Sequence, residues 1–186
     1  AALPLAGLAA LKGFAGLKAG EKVLVIGGNG GVGSTAIQVA LALGAEVDAV
    51  TGVEEGVAKH VGAEQTFNYH TTPPSSIPGR YSFILDTAGI NLLPYRALLA
   101  PGERFTTVAP AVMDVLRSLV TRGPRIRIVS AGANPTGLAW LAQKVDSGEI
   151  RPVIGDIYPA EQVRDAYRAY SAAESAHGKL VISWED

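Results

Sequence analysis

The chain has 186 residues, 48% of them hydrophobic, which is enough for one full core or for one domain and a fragment of another. A formal net charge of −1 excludes the basic field that nucleic acid or an anionic membrane surface would require. Zero cysteines exclude disulfides and thiolate metal sites, and the composition accords with a reducing, cytoplasmic setting.

The chain begins at Ala1, and Met113 is its only methionine. Its opening stretch, "AALPLAGLAALKGFAGLKAG", is apolar but has no basic region ahead of it and contains Gly, Pro and Lys. Neither a signal peptide nor a membrane span is therefore expected. Such a start leads to the expectation of a piece of a longer protein.

A helix is predicted over 4–15, with Pro4 in its first turn and Leu8, Leu11 and Phe14 on one face. After a turn over 17–22 comes a wholly apolar strand, 23–26, of the buried parallel kind. A helix over 31–43 closed by Gly44 follows, then a strand over 46–51. A short helix over 54–61 ends at Gly62, and 65–69 is a weaker strand. Residues 70–80 are a proline-rich loop. Beyond it the pattern predicts strand 81–86, helix 91–99, strand 104–108 introduced by Pro101-Gly102, helix 111–120 and strand 125–130. A helix over 135–146 takes Asn134 as its N-cap. A helix over 160–172 puts Val163, Ala166, Tyr167 and Tyr170 on one side, and a last strand covers 179–184.

This alternation implies βαβ units, hence an α/β fold with a doubly wound parallel sheet, the Rossmann arrangement. After about Gly148 the alternation breaks, and "IRPVIGDIYP" and "HGKLVISW" read as strands of another layer.

Gly28-Asn29-Gly30-Gly31-Val32-Gly33 has the form G-x-G-x-x-G, after a predicted strand and at the start of a predicted helix. In that context the first glycine permits a tight turn, the second admits a pyrophosphate to the backbone, and the third lets helix and strand pack closely. The helix N-terminus presents free N–H groups to the anion. A purely structural turn is the alternative.

Other nucleotide and hydrolase motifs fail on single residues. Ser34 stands where a P-loop needs Lys, and the turn lacks the G-x-S-x-G elbow of a hydrolase. No Tyr is followed four residues on by Lys, as a short-chain dehydrogenase requires. His60, His70 and His177 have no metal-ligand spacing and read as surface or loop residues.

The choice between NAD and NADP turns on the second strand. An acid at its end would bind the ribose 2′-OH and repel a 2′-phosphate. Asp48 lies about twenty residues beyond Gly28, the expected distance, yet it sits inside the strand. Its other reading is a strand residue facing a loop or water. The strand ends on Thr51 and Gly52, both neutral and small. Lys59 is the nearest downstream cation, either at a 2′-phosphate or on a solvated helix, and Tyr69 offers a flanking ring. The expectation is NADPH, with NADH second.

These residues resemble the medium-chain dehydrogenase/reductase superfamily, in particular its zinc-free quinone oxidoreductase (zeta-crystallin-like) branch. The resemblance runs through "GGVG" at 30–33, "TGVEEGVAKHVGAEQTFNY" at 51–69, "ILDTAG" at 84–89, "LLAPGERFTTVA" at 98–109, "IRPVIGDIYPAEQVRDAYRAY" at 150–170 and "HGKLVI" at 177–182. It implies that Gly28, Asn29, Gly30, Gly31, Val32 and Gly33 hold the pyrophosphate. Thr51, Gly52, Lys59 and Tyr69 would surround the adenosine ribose and its 2′-phosphate. Asp86, Thr87, Ala88, Val108 and Ala109 would border the nicotinamide ribose and amide. Asp86 also reads as a simple loop or helix cap.

The resemblance further implies a division into a dinucleotide-binding domain, 1–148, and a tail, 149–186, that completes a GroES-like domain. The N-terminal part of that domain, with most substrate contacts, is not in this sequence. The segment between Tyr69 and Tyr81 is also short where the family has a helix, which would leave that sheet edge less covered. Arg122, Arg125 and Arg127 read as an exposed strand edge, and the strand from Arg125 to Ser130 is a candidate homodimer contact, since the family pairs this edge across dimers.

The function expected is NADPH-dependent hydride transfer to a quinone or an activated enone or enoyl group, on a small-molecule substrate, without metal, nucleic acid or membrane. No residue stands out as an acid or base, and the chain alone is expected to turn over little. The alternatives are the enoyl-reductase portion of a larger synthase and a non-catalytic dinucleotide-binding module. A methyltransferase-like domain ranks below both, because it would want an acid where Thr51 stands.

Overall fold

The computed structural model describes residues 2–52, 56–89, 91–109, 112–171 and 178–184. Helix α1 (Pro4–Gly13) leads into strand β1 (Lys22–Ile26), helix α2 (Gly33–Ala42) and strand β2 (Glu46–Thr51). A single-turn helix α3 (Val57–His60) and strand β3 (Thr66–Asn68) follow, then β4 (Tyr81–Asp86), β5 (Leu99–Thr107), α4 (Val112–Val120), β6 (Ile126–Ile128) and α5 (Pro135–Asp146). The tail supplies β7 (Ile154–Pro159), α6 (Val163–Ser171) and β8 (Lys179–Ser183).

Strands β1 to β6 form one parallel sheet in the order β3-β2-β1-β4-β5-β6. This is the Rossmann order, and its direction of winding reverses at β1, between β2 and β4. The apolar runs of β1 and β4 are buried on both faces, as helices or packed loops cover each side. On one face α1, α2 and α5 cover Val23, Val25, Val47, Ala49, Phe83 and Leu85. Gly7 lets α1 approach α5 closely, since a Cβ there would meet the Leu141 side chain at 2.6 Å. On the other face Leu24, Ile26, Val50 and Ile84 pack with Leu92, Tyr95, Leu98 and Phe105. Strands β7 and β8 pair in parallel as a separate two-stranded sheet, with α6 as their crossover.

Several local signals act as the sequence implied. Gly44 takes φ +86° and closes α2, with Ala45 N–H bonding back to the Ala40 carbonyl at 3.0 Å. Asn134 caps α5 by accepting from Gly137 N at 2.9 Å. Other expectations need correction. The helix predicted over 91–99 is a 3₁₀ segment, Leu93–Leu98, and Leu99 already belongs to β5. Strand β5 takes the chain from Leu99 onward, which leaves only the short stretch Leu93–Leu98 for a helical turn. The loop over 70–80 does not leave its edge bare, for Ile77 is buried against Leu24, Ile26 and Val50. Helix α3 is described only from Val57, and Glu54, where its predicted start fell, lies outside the described residues. Among the described residues no helix is long and apolar enough to cross a membrane.

Asp48 is the largest departure from expectation. It does not face water: its side chain is fully buried, with Lys22 Nζ at 3.0 Å, the Tyr81 hydroxyl at 2.8 Å and, from the loop before β3, Gln65 N–H at 3.1 Å. Burial, with the Asp48 carboxylate alongside, pushes the Tyr81 hydroxyl well above its ordinary value and keeps it a donor. This network ties β1, β2 and β4 together through residues that do not line the cleft described below. Tyr81→Phe, which removes one hydrogen bond to a buried charge, should cost about 1.5–3 kcal/mol. A lowered urea midpoint at constant slope, with nucleotide affinity unchanged, is the expected result.

Candidate functional site

The turn after β1 is built on glycines with separate tasks. Gly27, not Gly28, takes the positive φ, +87°, so the tight turn that the sequence pattern assigned to Gly28 belongs one residue earlier. Gly27 and Gly28 both donate to the Val50 carbonyl, at 2.9 and 3.1 Å, which pins the turn to β2. Gly28 is a packing position, since a Cβ there would sit 2.9 Å from the Ala49 methyl and 3.0 Å from that of Ala58. At Gly33 a Cβ would collide with the Gly27 carbonyl, so the missing side chain is what brings the start of α2 onto the turn. Gly30 is open: its Cβ would touch only the Gly27 oxygen, at 3.4 Å. First-turn N–H groups of a helix lack intrahelical acceptors, and here that of Ser34 is taken by the Gly30 carbonyl at 2.9 Å, which ties the start of α2 to the turn.

Asn29 holds two neighbours. Its Oδ1 accepts from Ala58 N at 2.9 Å, and its carbonyl accepts from Gly178 N at 3.1 Å. The second bond joins the turn to the start of β8. The Lys179 side chain then lies across Gly31, where a Cβ would meet its Cδ at 2.8 Å. Burial draws the Lys179 ammonium below the ordinary lysine value.

A cleft of about 960 Å³ opens above this turn. Asn29, Gly30, Gly31 and Val32 form its floor, Thr51 and Gly52 one side, and Thr87 and Ala88 the other. Tyr69 stands over Gly52, where a Cβ would be 3.2 Å from its hydroxyl, and the His70 ring packs 4.2 Å from that of Tyr69. Tyr170, Gly178, Lys179 and Leu180 of the tail close the opposite wall. An adjoining trough of about 410 Å³ is lined by Val108 and Ala109, by residues 128–131 and by Leu5, Ala6 and Ala9 of α1. Val32 and Lys179 border both spaces.

The sequence-derived residues therefore divide. Nine meet in the cleft and two in the trough. Gly28, Gly33 and Asp86 lie outside both, behind the surface. Lys59 is turned away, its amine donating to the Glu64 carbonyl at 2.6 Å. Asp86 is buried and accepts from Ala88 N at 2.9 Å, from Gly89 N at 3.0 Å and from the Thr107 hydroxyl at 2.6 Å. Burial raises its pKa, against which these hydrogen bonds act.

Sequence reasoning missed Gly27, His70, Tyr170 and Lys179. The doubled glycine at 27–28 was the available signal for the first. The others come together only through the fold.

The geometry accommodates a nicotinamide dinucleotide: an open glycine faces the helix N-terminus, the cleft follows the strand ends, and the winding reverses there. No zinc set is present among the described residues, which contain no group of three or more His, Asp or Glu placed to hold a metal, and cysteine is absent from the sequence.

Fold and cleft together define a domain of the dinucleotide-binding class. Residues 61–182 match the family model for zinc-binding dehydrogenases, and the chain belongs to that family, within the medium-chain dehydrogenase/reductase superfamily. It is 32% identical over 183 residues to a quinone oxidoreductase of Sus scrofa, covering 89% of this chain and 55% of that one. It is also 33% identical over 205 residues to the spectinabilin polyketide synthase system protein NorB of Streptomyces orinoci, covering 98% of this chain and 9% of that protein. The quinone oxidoreductase of Coxiella burnetii superposes with a TM-score of 0.86 at 26% identity, over 100% of this chain and 60% of that one. That of Thermus thermophilus, solved also in complex with NADPH, gives 0.70 at 26% identity, over 97% and 64%. The chain spans little more than half the length of the quinone oxidoreductases it matches.

Gly33→Ala should cost ~3 kcal/mol, because the clash is with backbone that cannot turn aside. Gly30→Ala should change stability by less than ~1 kcal/mol. Thermal melting of the two variants is the check, and equal losses would refute this assignment of roles.

Proposed function

We propose that the chain is the NADPH-binding portion of an oxidoreductase that passes hydride from the nicotinamide to a quinone or an activated enone or enoyl substrate. The observation that carries this reading is the glycine turn opening onto a cleft at the sheet's switch point, with a neutral rim of Thr51 and Gly52 under Tyr69. The acid at fingerprint distance, Asp48, is committed to Lys22 and Tyr81, so it does not serve a ribose 2′-OH. With Lys59 held at Glu64, His70 beside Tyr69 is the described residue placed to meet a 2′-phosphate on the adenosine side of the cleft.

Bound nicotinamide supplies the hydride chemistry. The chain's own part is to hold and orient. Gly30, Val32 and the α2 N-terminus take the pyrophosphate, Thr51, Gly52 and Tyr69 take the adenosine side, and Thr87, Ala88, Val108 and Ala109 border the nicotinamide. The tail from residue 149 would complete a GroES-like domain that brings the substrate, so the chain alone turns over little. A cytoplasmic setting and catalysis without zinc belong to the same proposal.

The likeness to the polyketide synthase protein favours a second reading, the reductase portion of a larger synthase.

Self-association belongs to the same reading. Strand β6 is an edge of the six-stranded sheet, and α4, packed beside it, exposes Val112, Met113, Leu116, Leu119 and Val120. A second copy meeting β6 across a two-fold axis, through 125–130, would extend the sheet and cover both apolar stripes. Sedimentation at tens of micromolar should give twice the chain mass, and Leu116→Glu should return the monomer.

Fluorescence titration should give NADPH a lower Kd than NADH, and Gly30→Val should abolish binding of both while leaving the melting temperature within a few degrees. Equal or reversed affinities would sink the NADPH assignment. Retained binding in Gly30→Val would sink the glycine turn as the pyrophosphate site.

A further inference from the structure

Asp86 has no exposed surface and lines neither the cleft nor the trough, yet the walls of both hang from it. It ends β4, directly paired with Thr107 at the end of β5. Beyond this pair one backbone bond still links the two strand ends, from Val108 N–H to the Asp86 carbonyl at 3.0 Å, and side chains supply the other links. Ala88 and Gly89 donate their N–H groups to the carboxylate, at 2.9 and 3.0 Å. The Thr107 hydroxyl donates to Oδ2 at 2.6 Å and accepts from Ala109 N at 3.1 Å. Within the first loop the Thr87 hydroxyl donates to the Ile26 carbonyl at 2.8 Å, which reaches β1 and the glycine turn. One buried carboxylate and one buried hydroxyl, with the Val108–Asp86 backbone bond, thus fix the wall at 87–89 relative to the wall at 108–109. The adenosine side, at Thr51, Gly52 and Tyr69, has no member in this set of bonds.

We propose that Asp86 and Thr107 are positioning residues for the nicotinamide half of the cofactor, setting the spacing of the two loops that border it without touching the cofactor themselves. This rests on the cofactor reading above. An acceptor needed only to cap one loop would serve with the two amides of 88–89. The Thr107 hydroxyl adds a connection to the next loop, and a buried polar pair with every group satisfied holds one geometry in place of several. Loss of the hydroxyl leaves Ala109 N–H and a carboxylate oxygen without their partner, and the 107–109 loop loses its register against 87–89.

The test separates the two halves of the ligand. Isothermal titration of the chain, Thr107→Val and Thr107→Ser uses NADPH and 2′,5′-ADP, with NADH and ADP in parallel. In Thr107→Val the dinucleotide should bind about tenfold more weakly while the ADP half stays within about twofold, and Thr107→Ser should restore the dinucleotide. Asp86→Asn should show the same split, and carries the comparison if Thr107→Val does not fold. Equal weakening of both ligands, no weakening of either, or a serine variant no better than valine would overturn the proposal. A wild-type chain that binds neither dinucleotide nor ADP half would overturn the cofactor reading and this proposal with it.

Discussion

The site depends on a missing methyl group. Helix α2 can start against the end of β1 only because Gly33 leaves room for the Gly27 carbonyl. From that contact the rest follows. The helix N-terminus is brought to the point where the sheet reverses its winding, and Gly28 must in turn be small because Ala49 and Ala58 crowd it. The short side chains of β2 and α3 at this place are therefore part of the same constraint, and a larger residue at any of them would push the turn outward into the cleft.

Two buried aspartates show how differently one residue type can be accommodated. Asp48 is neutralised by a cation, Lys22, whose stem reaches solvent, and by a tyrosine that burial keeps protonated. Asp86 has no cation within its contacts and is held by backbone amides and a hydroxyl. The first arrangement binds three strands into a rigid sheet. The second joins the ends of β4 and β5 and reaches into the loops beyond them. Neither residue meets the cleft, although Asp48 stands at the fingerprint spacing and the family resemblance places Asp86 beside the nicotinamide.

The fold was legible because its core strands are uninterrupted apolar runs, which parallel sheets covered on both faces demand, and because Gly44, Gly62 and Asn134 mark helix ends through local chemistry. What depended on partners distant in sequence was not legible. Asp48 reads as polar and exposed until Lys22 and Tyr81 are brought to it. Lys59 reads as a cation near a phosphate until Glu64 claims its amine. The stretch over 91–99 reads as a helix, yet the early start of β5 at Leu99 cuts it short. Tyr170 and Lys179 join the cleft from the tail, and no periodicity near the glycine pattern could announce them.

The bond from Gly178 to Asn29 spans nearly the whole chain. During synthesis the glycine turn is made well before the strand that braces it. Until β8 emerges, the Asn29 carbonyl lacks that partner and Lys179 does not yet lie across Gly31. The dinucleotide site is thus finished by closing a very long loop, a slow and entropically costly step that cofactor already in place would favour.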